Sequence, residues 1–172
     1  MTRTICLHGP ESTGKSTMAK RLAAHFDAPL VPEYGRTYCE QYGTDLTLND
    51  LLTIAQTHDA MTGAALRNAP ALAILDTDPL MTAVWCDMLF RRRPAWFAEW
   101  DRTADLYLLF DIDLPWIDDG TRFFGFPTER QHFMDLSRAE LERRGVRWAL
   151  ISGDGEARYE SALSAITAAG LA

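Results

Sequence analysis

At 172 residues the chain is long enough for one core that buries about 70% of the surface its unfolded form would expose. A composition of 47% hydrophobic and 24% charged residues excludes disordered and membrane-embedded classes, and no apolar run is long enough for a signal region or a bilayer span. The formal net charge of −7 disfavours non-specific nucleic-acid binding and points to a small-molecule partner.

Residues 4–8 form a short apolar run that stops at Gly9, as a strand would, and residues 16–26 carry Met18, Leu22, Ala23 and Phe26 on one helical stripe. A second, brief strand at Leu30 and Val31 ends at Pro32. Glu33-Tyr34-Gly35-Arg36 follows, and then a helix-like stretch over residues 37–42. The amphipathic segment 49–67 is predicted as a helix with Leu51, Leu52, Ala55, Ala60 and Leu66 turned to the core. Residues 71–75 are continuously apolar, like a strand buried on both faces, and end in Asp76-Thr77-Asp78-Pro79. Residues 106–110 repeat that pattern. The segment at about 115–128, rich in Gly, Asp and aromatics, reads as a mobile lid-like loop, and residues 148–151 supply a last strand before Ser152-Gly153-Asp154-Gly155.

Strands alternating with helices imply a parallel sheet with right-handed crossovers. The expectation is therefore one α/β domain over residues 1–172, a three-layer α/β/α fold of the P-loop NTPase type with strand order 2-3-1-4-5. Cys6, Cys39 and Cys86 are odd in number and widely spaced, so neither a disulfide framework nor a zinc site is suggested, and a reducing cytoplasm fits best. His8, His25, His58 and His132 show no metal-ligand spacing. Nothing in the sequence fixes the oligomeric state.

The chemistry centres on Gly9-Pro10-Glu11-Ser12-Thr13-Gly14-Lys15-Ser16, a complete Walker A loop between a strand and a helix. Glycine-permitted turns aim backbone N–H groups at a phosphate, at the positive end of the following helix. Lys15 would reach the β- and γ-phosphates of ATP, and the Ser16 hydroxyl would ligate Mg²⁺. Gly9, Glu11, Ser12, Thr13, Gly14, Lys15, Ser16 and Thr17 are the expected nucleotide-binding residues.

Asp76 ends the third strand, where P-loop enzymes place an acid that supports the metal, and Asp78 stands at the same rim. Asp78 contacts substrate, caps the helix that Pro79 opens, or does both. Glu33, at the end of the second strand, is placed to take a proton from an attacking hydroxyl, with Arg36 one turn on to bind phosphate or pair with it. A solvated surface pair of Glu33 and Arg36 is the plainer alternative. Arg122 in the loop is expected to neutralise a transferring phosphoryl group, ahead of Arg130, while Arg91-Arg92-Arg93 reads as solvated loop charge. Tyr34, Tyr38, Trp85 and Trp116 could stack a flat heterocycle, although for Trp85 the spacing favours the core.

Taken together, the Walker loop with Thr17, Pro32-Glu33-Tyr34-Gly35-Arg36, Leu75-Asp76-Thr77-Asp78 and Pro115-Trp116-Ile117-Asp118-Asp119-Gly120-Thr121-Arg122 resemble the ribosylnicotinamide (nicotinamide riboside) kinase domain of the NadR-type family. The resemblance covers nearly the whole chain in order. It implies ATP-dependent transfer of the γ-phosphate to the 5′-hydroxyl of nicotinamide riboside, giving nicotinamide mononucleotide. In that scheme Lys15, Ser16 and Mg²⁺ hold ATP, Asp76 supports the metal, Glu33 is the base, Arg122 stabilises the transferred group, and Tyr34, Arg36, Asp78 and Trp116 contact the nucleoside. Pro32 stands where the family often has an aromatic residue. Bifunctional members carry an adenylyltransferase domain and sometimes a DNA-binding module ahead of this region; with Met1 just before the loop, this chain is expected to carry neither. A deoxynucleoside or thymidylate kinase of the same fold is the nearest alternative. A nucleotide-binding switch without an acceptor is the alternative from another class, and the missing Asn/Thr-Lys-x-Asp motif argues against a GTPase.

Overall fold

In a computed structural model that describes residues 1–171, five parallel strands form one sheet, so only the last residue of the expected 1–172 domain lies outside the described residues. The strands are β1 (Arg3–His8), β2 (Leu30–Val31), β3 (Leu72–Asp76), β4 (Leu106–Phe110) and β5 (Trp148–Ile151), in the order β2-β3-β1-β4-β5. This is the order read from the sequence. β1 lies at the centre, with Ile5 paired to Ile74 on one side and to Leu106 on the other.

The helices are α1 (Lys15–His25), α2 (Tyr34–Tyr42), α3 (Leu48–Leu66), α4 (Pro79–Phe90), the short α5 (Trp96–Glu99), α6 (Pro127–Arg144) and α7 (Gly155–Ala168). Alternation along the strands decides which layer each side chain meets, since successive residues of a strand point to opposite faces. Ile5, Leu7, Ile74, Leu106, Leu108 and Phe110 pack with Met18 and Leu22 of α1 and Ala162 and Ile166 of α7. Cys6, Leu75, Tyr107 and Leu109 pack with Leu80 of α4 and Met134 and Leu141 of α6. Both sheet faces are therefore dry, which is why these strands read as unbroken apolar runs.

Two local signals set helix starts. Asp78 precedes Pro79, and its Oδ1 accepts from the Leu80 N–H at 2.9 Å, so α4 begins at the C-terminal rim of β3. Thr47 and Asp50 form a reciprocal capping box at the start of α3.

Three expectations are corrected. Helix α2 begins at Tyr34, three residues earlier than predicted, with Glu33 at its N-cap. On α3 the buried face runs through Leu51, Ile54, Ala55, His58 and Thr62, while Ala60 is exposed. Arg93 is not solvated loop charge: it is an ion-paired strut, bonded to Asp87 on α4 and, at 2.7 Å, to the buried Glu140 on α6.

Because all five strands run the same way, His8, Val31, Asp76, Phe110 and Ile151 end on one rim. Open parallel sheets bind ligands outside these carboxyl ends, in the crevice where strand order switches direction. Here that crevice lies beside β1, with β3 on one side and β4 on the other.

Candidate active site

The loop after β1 is forced into shape by its neighbours. Gly9 has φ +125°, and a Cβ there would lie 2.8 Å from the Phe110 carbonyl oxygen, so only glycine fits. Ser12 and Gly14 also adopt positive φ, 58° and 82°, which turns the chain inward before α1. The N-terminus of α1 has no side-chain cap, so its free N–H groups face the crevice as an anion site.

Arg158 of α7 braces the loop from behind. It is 2% exposed, and its guanidinium donates to the Thr13 carbonyl at 3.2 Å, Asp113 Oδ1 at 2.8 Å, the Gly153 carbonyl at 2.7 Å and the Asp111 carbonyl at 2.6 Å. With the Thr13 carbonyl held outward, the peptide that follows keeps its N–H directed into the loop.

Lys15 is buried, and its Nζ donates to the Pro10 carbonyl at 2.5 Å. Burial lowers its pKa, and the carboxylates of Glu33 and Asp76 pull it back. Those two acids face the same space. Burial raises the pKa of Glu33, and the charge of Asp76 raises it further, while Lys15 and Arg36 oppose the shift. Burial likewise raises Asp76, against the Ser16 hydroxyl and Lys15. Asp76 is 4% exposed and its Oδ1 has no hydrogen-bond partner. A buried carboxylate oxygen of that kind beside a serine hydroxyl is a hard-oxygen donor set that suits Mg²⁺.

These groups open into a cavity of about 560 Å³. Its far wall is apolar, built from Leu51 and Ile54 of α3, Trp85 of α4 and Phe123. The Trp85 ring meets Phe123 edge-on at 5.4 Å and Phe133 at 4.9 Å, which fixes the indole against the cavity. His58 closes the floor, donating from Nε2 to the Pro32 carbonyl at 3.1 Å; burial lowers its pKa to about 4, so it is neutral there.

The segment 115–124 covers the mouth and is held by the side chains of the loop itself. Glu11 Oε1 accepts from the Phe123 N–H at 2.8 Å, the Phe124 N–H at 2.6 Å and, at 3.4 Å, the Trp116 indole. Ser12 Oγ accepts from the Ile117 N–H at 2.9 Å and Arg122 Nη1 at 3.0 Å. Across the mouth, Arg36 Nη1 meets Asp119 Oδ2 at 2.6 Å, and Arg122 Nε lies 3.1 Å from the same oxygen.

Gly9, Glu11 to Thr17, Glu33, Tyr34, Arg36, Asp76 and Arg122 thus converge on one cavity. Two expected substrate contacts lie elsewhere. Asp78 is 2% exposed, one oxygen capping α4 and the other accepting from Tyr107 Oη at 2.5 Å; burial raises its pKa to about 6. Trp116 packs over Gly125 rather than lining the cavity, close enough that a Cβ on Gly125 would meet its ring at 3.2 Å. Conversely, Trp85, read from its spacing as core, is half-buried and lines the cavity. Met81, Thr82 and Trp85 follow the rim residue Asp78 at helical spacing, and that pattern would have marked the indole.

A glycine-constrained loop feeding a helix at the end of the central strand, with a buried acid closing the neighbouring strand, defines a P-loop protein of the α/β/α class. The chain belongs to the AAA domain family, whose model matches residues 4–158. It is 32% identical over 165 residues to the trifunctional NAD biosynthesis/regulator protein NadR of Escherichia coli (strain K12), covering 92% of this chain and 40% of that protein. The NadR-type resemblance read from the motifs is thereby supported over most of the chain, which spans about two fifths of the relative's length. Among solved structures, NadR in complex with NR superposes with a TM-score of 0.79 at 23% identity, over 97% of this chain and 50% of that one. Thymidylate kinase from Ehrlichia chaffeensis superposes with a TM-score of 0.70 at 14% identity, over 97% and 98% of the two chains. Those structural likenesses establish the shared fold.

Proposed function

We propose that the chain is a single kinase domain, with residues 115–128 as its lid, that transfers the γ-phosphate of ATP to the 5′-hydroxyl of nicotinamide riboside. The observation that carries the reading is one cavity in which Lys15, Glu33 and Asp76 meet beneath Arg122, with an aromatic wall opposite. The similarity to NadR and the NR-bound NadR structure support that choice of acceptor.

In this reading the loop N–H groups and Lys15 bind the phosphates of ATP, and Lys15 exchanges the Pro10 carbonyl for phosphate oxygens. Ser16 and Asp76 hold Mg²⁺, which neutralises charge on the phosphate chain when bound. Few protein ligands are needed, because magnesium keeps waters and substrate oxygens; no cluster of three acidic, histidine or cysteine ligands occurs among the described residues. Glu33 accepts the 5′-hydroxyl proton, and its raised pKa brings it nearer working pH, as general-base catalysis favours. Arg122 adds positive charge where the phosphoryl group passes. The nicotinamide ring of the riboside is a cation, and the faces of Trp85 and Phe123 attract a flat cation. A cytoplasmic location goes with the three free cysteines, and no helix among the described residues is long and apolar enough to cross a membrane.

The test is ADP release from ATP and Mg²⁺ with nicotinamide riboside, thymidine, deoxycytidine, thymidylate or no acceptor. Selective stimulation by nicotinamide riboside is expected. Stimulation by another acceptor moves the protein to a different nucleoside or nucleotide kinase, and acceptor-independent release moves it to the switch class.

A further inference from the structure

Nucleoside kinases and nucleoside-monophosphate kinases share this fold, so the choice between a neutral 5′-hydroxyl and a 5′-phosphate must be made by side chains. Resting on the kinase reading above, we infer that Asp119 is a specificity-determining residue. It holds Arg36 so that this arginine cannot bind a phosphate carried by the acceptor.

A second phosphate needs unclaimed cations, and arginine is the usual choice because its fork matches phosphate oxygens. Four cations line the cavity, namely Lys15, Lys20, Arg36 and Arg122, against the carboxylates of Glu11, Glu33 and Asp76. Lys15 and Lys20 both belong to α1, on the ATP side. Arg122 of the lid is held through Nη1 by Ser12 Oγ and the Ile117 carbonyl, which leaves Arg36 of α2 for the acceptor, and Asp119 claims it. Asp119 Oδ2 accepts from Arg36 Nη1 at 2.6 Å; Arg122 Nε lies 3.1 Å away as a neighbouring charge without a hydrogen bond. Asp119 thus sets a carboxylate against the one arginine that faces the acceptor, and an incoming dianion would have to displace it.

Asp119 is itself fixed. Its other oxygen accepts from the Thr121 N–H at 3.1 Å and the Thr121 hydroxyl at 2.8 Å, an Asx turn that aims Oδ2 at Arg36. Partial burial would raise its pKa, but the bonds from Arg36 and Thr121 outweigh that and hold it at about 2, so it stays charged at working pH. Arg122 Nε lies near Asp119 without a hydrogen bond, and its Nη2 stays available to the transferring phosphoryl group. Exclusion of the phosphorylated acceptor also helps product leave: the monophosphate formed by transfer meets a carboxylate that recaptures Arg36.

Asp119→Asn removes the charge and keeps a carbonyl oxygen for the Thr121 turn, so the lid conformation survives. The measurement is calorimetric binding of nicotinamide riboside and nicotinamide mononucleotide, with thymidine and thymidylate as a second pair, to wild type, D119N, D119E and the double variant R36Q/D119N. D119N is expected to bind the monophosphates about tenfold tighter while nucleoside affinity changes less than about twofold. D119E should restore the wild-type preference, and R36Q/D119N should lose the gain. An unchanged monophosphate affinity in D119N, or equal shifts for nucleoside and monophosphate, overturns the inference. The same protein assayed for ADP release with nicotinamide riboside tests the kinase reading separately: turnover without the D119N gain removes the inference alone. Failure of wild type to bind any nucleoside removes both.

Discussion

The residue just before the P-loop makes stability depend on pH in a calculable way. His8 is fully buried; its Nε2 donates to the Ser137 carbonyl of α6 at 3.1 Å, and its Nδ1 has no partner. Protonation would place a cationic N–H in the core with nothing to receive it, and burial accordingly lowers its pKa from 6.5 to about 3. An unfolded chain accepts that proton below pH 6.5, whereas the folded one does not. The stability contributed by neutral His8 is therefore complete above 6.5 and is lost steadily as pH falls, levelling only near 3. Between about pH 7.5 and about pH 5 the loss is about 2 kcal/mol. Neutral His58, with a pKa of about 4, adds a loss of about 2 kcal/mol over the same window, whereas Asp78, raised to about 6, takes up its proton more readily when folded and offsets about 1 kcal/mol. Total stability mixes these effects, so the assay compares urea unfolding of wild type and His8→Gln, which keeps a donor for Ser137 and does not titrate, at both pH values. Wild type should lose about 2 kcal/mol more than the variant on acidification. Equal losses would refute the assignment of a neutral, proton-refusing His8.

Lys15→Ala should lower turnover by roughly 10²–10³-fold or more while the melting temperature stays close to wild type, since the side chain faces the loop rather than the sheet; full activity would remove the Walker assignment. Glu33→Gln should cut turnover by roughly 10²–10⁴-fold with ATP affinity largely kept. In wild type the acid limb of the kcat/KM profile should lie above the ordinary carboxyl value of 4.5, because burial raises Glu33, and the limb should vanish in the variant; an unchanged profile would shift the base role elsewhere. Gly9→Ala should cost at least about 2 kcal/mol in denaturant unfolding, as the Cβ would sit 2.8 Å from the Phe110 carbonyl at a φ that alanine rarely adopts. It should also weaken ATP binding measured by calorimetry, because β4 and the loop must part to admit the methyl group.

Much of this architecture was legible in the chain because both faces of a parallel sheet are covered. Runs such as Leu72 to Asp76 and Leu106 to Phe110 leave no alternation to misread, and the Gly9, Gly14 and Pro79 punctuation marks where β1 and β3 turn into helices. Helix α6 was not read from the sequence, because its buried residues, Phe133, Met134, Ser137, Glu140 and Leu141, include a serine and an ion-paired glutamate that look like surface. On the site side, the Walker loop, Glu33 and Asp76 were readable, since sheet-rim chemistry follows strand ends. Asp78 and Trp116 went elsewhere for reasons no local pattern carries. Tyr107 on β4 captures Asp78 from 29 residues away, and Gly125 offers Trp116 a flat seat outside the cavity. Pairings set by the tertiary fold decide such cases.

Glu11 and Ser12 occupy positions where a Walker loop tolerates any residue, yet their side chains clasp residues 116–124 while their backbones shape the phosphate nest. The two segments are consequently a single heritable module, separated by about a hundred positions in the gene. A chimaera that replaces Glu11 and Ser12 while keeping residues 115–124 would leave the Ile117, Phe123 and Phe124 N–H groups without their acceptors. For anyone grafting new ligand preferences onto this scaffold, the unit of exchange is the loop and its cover together.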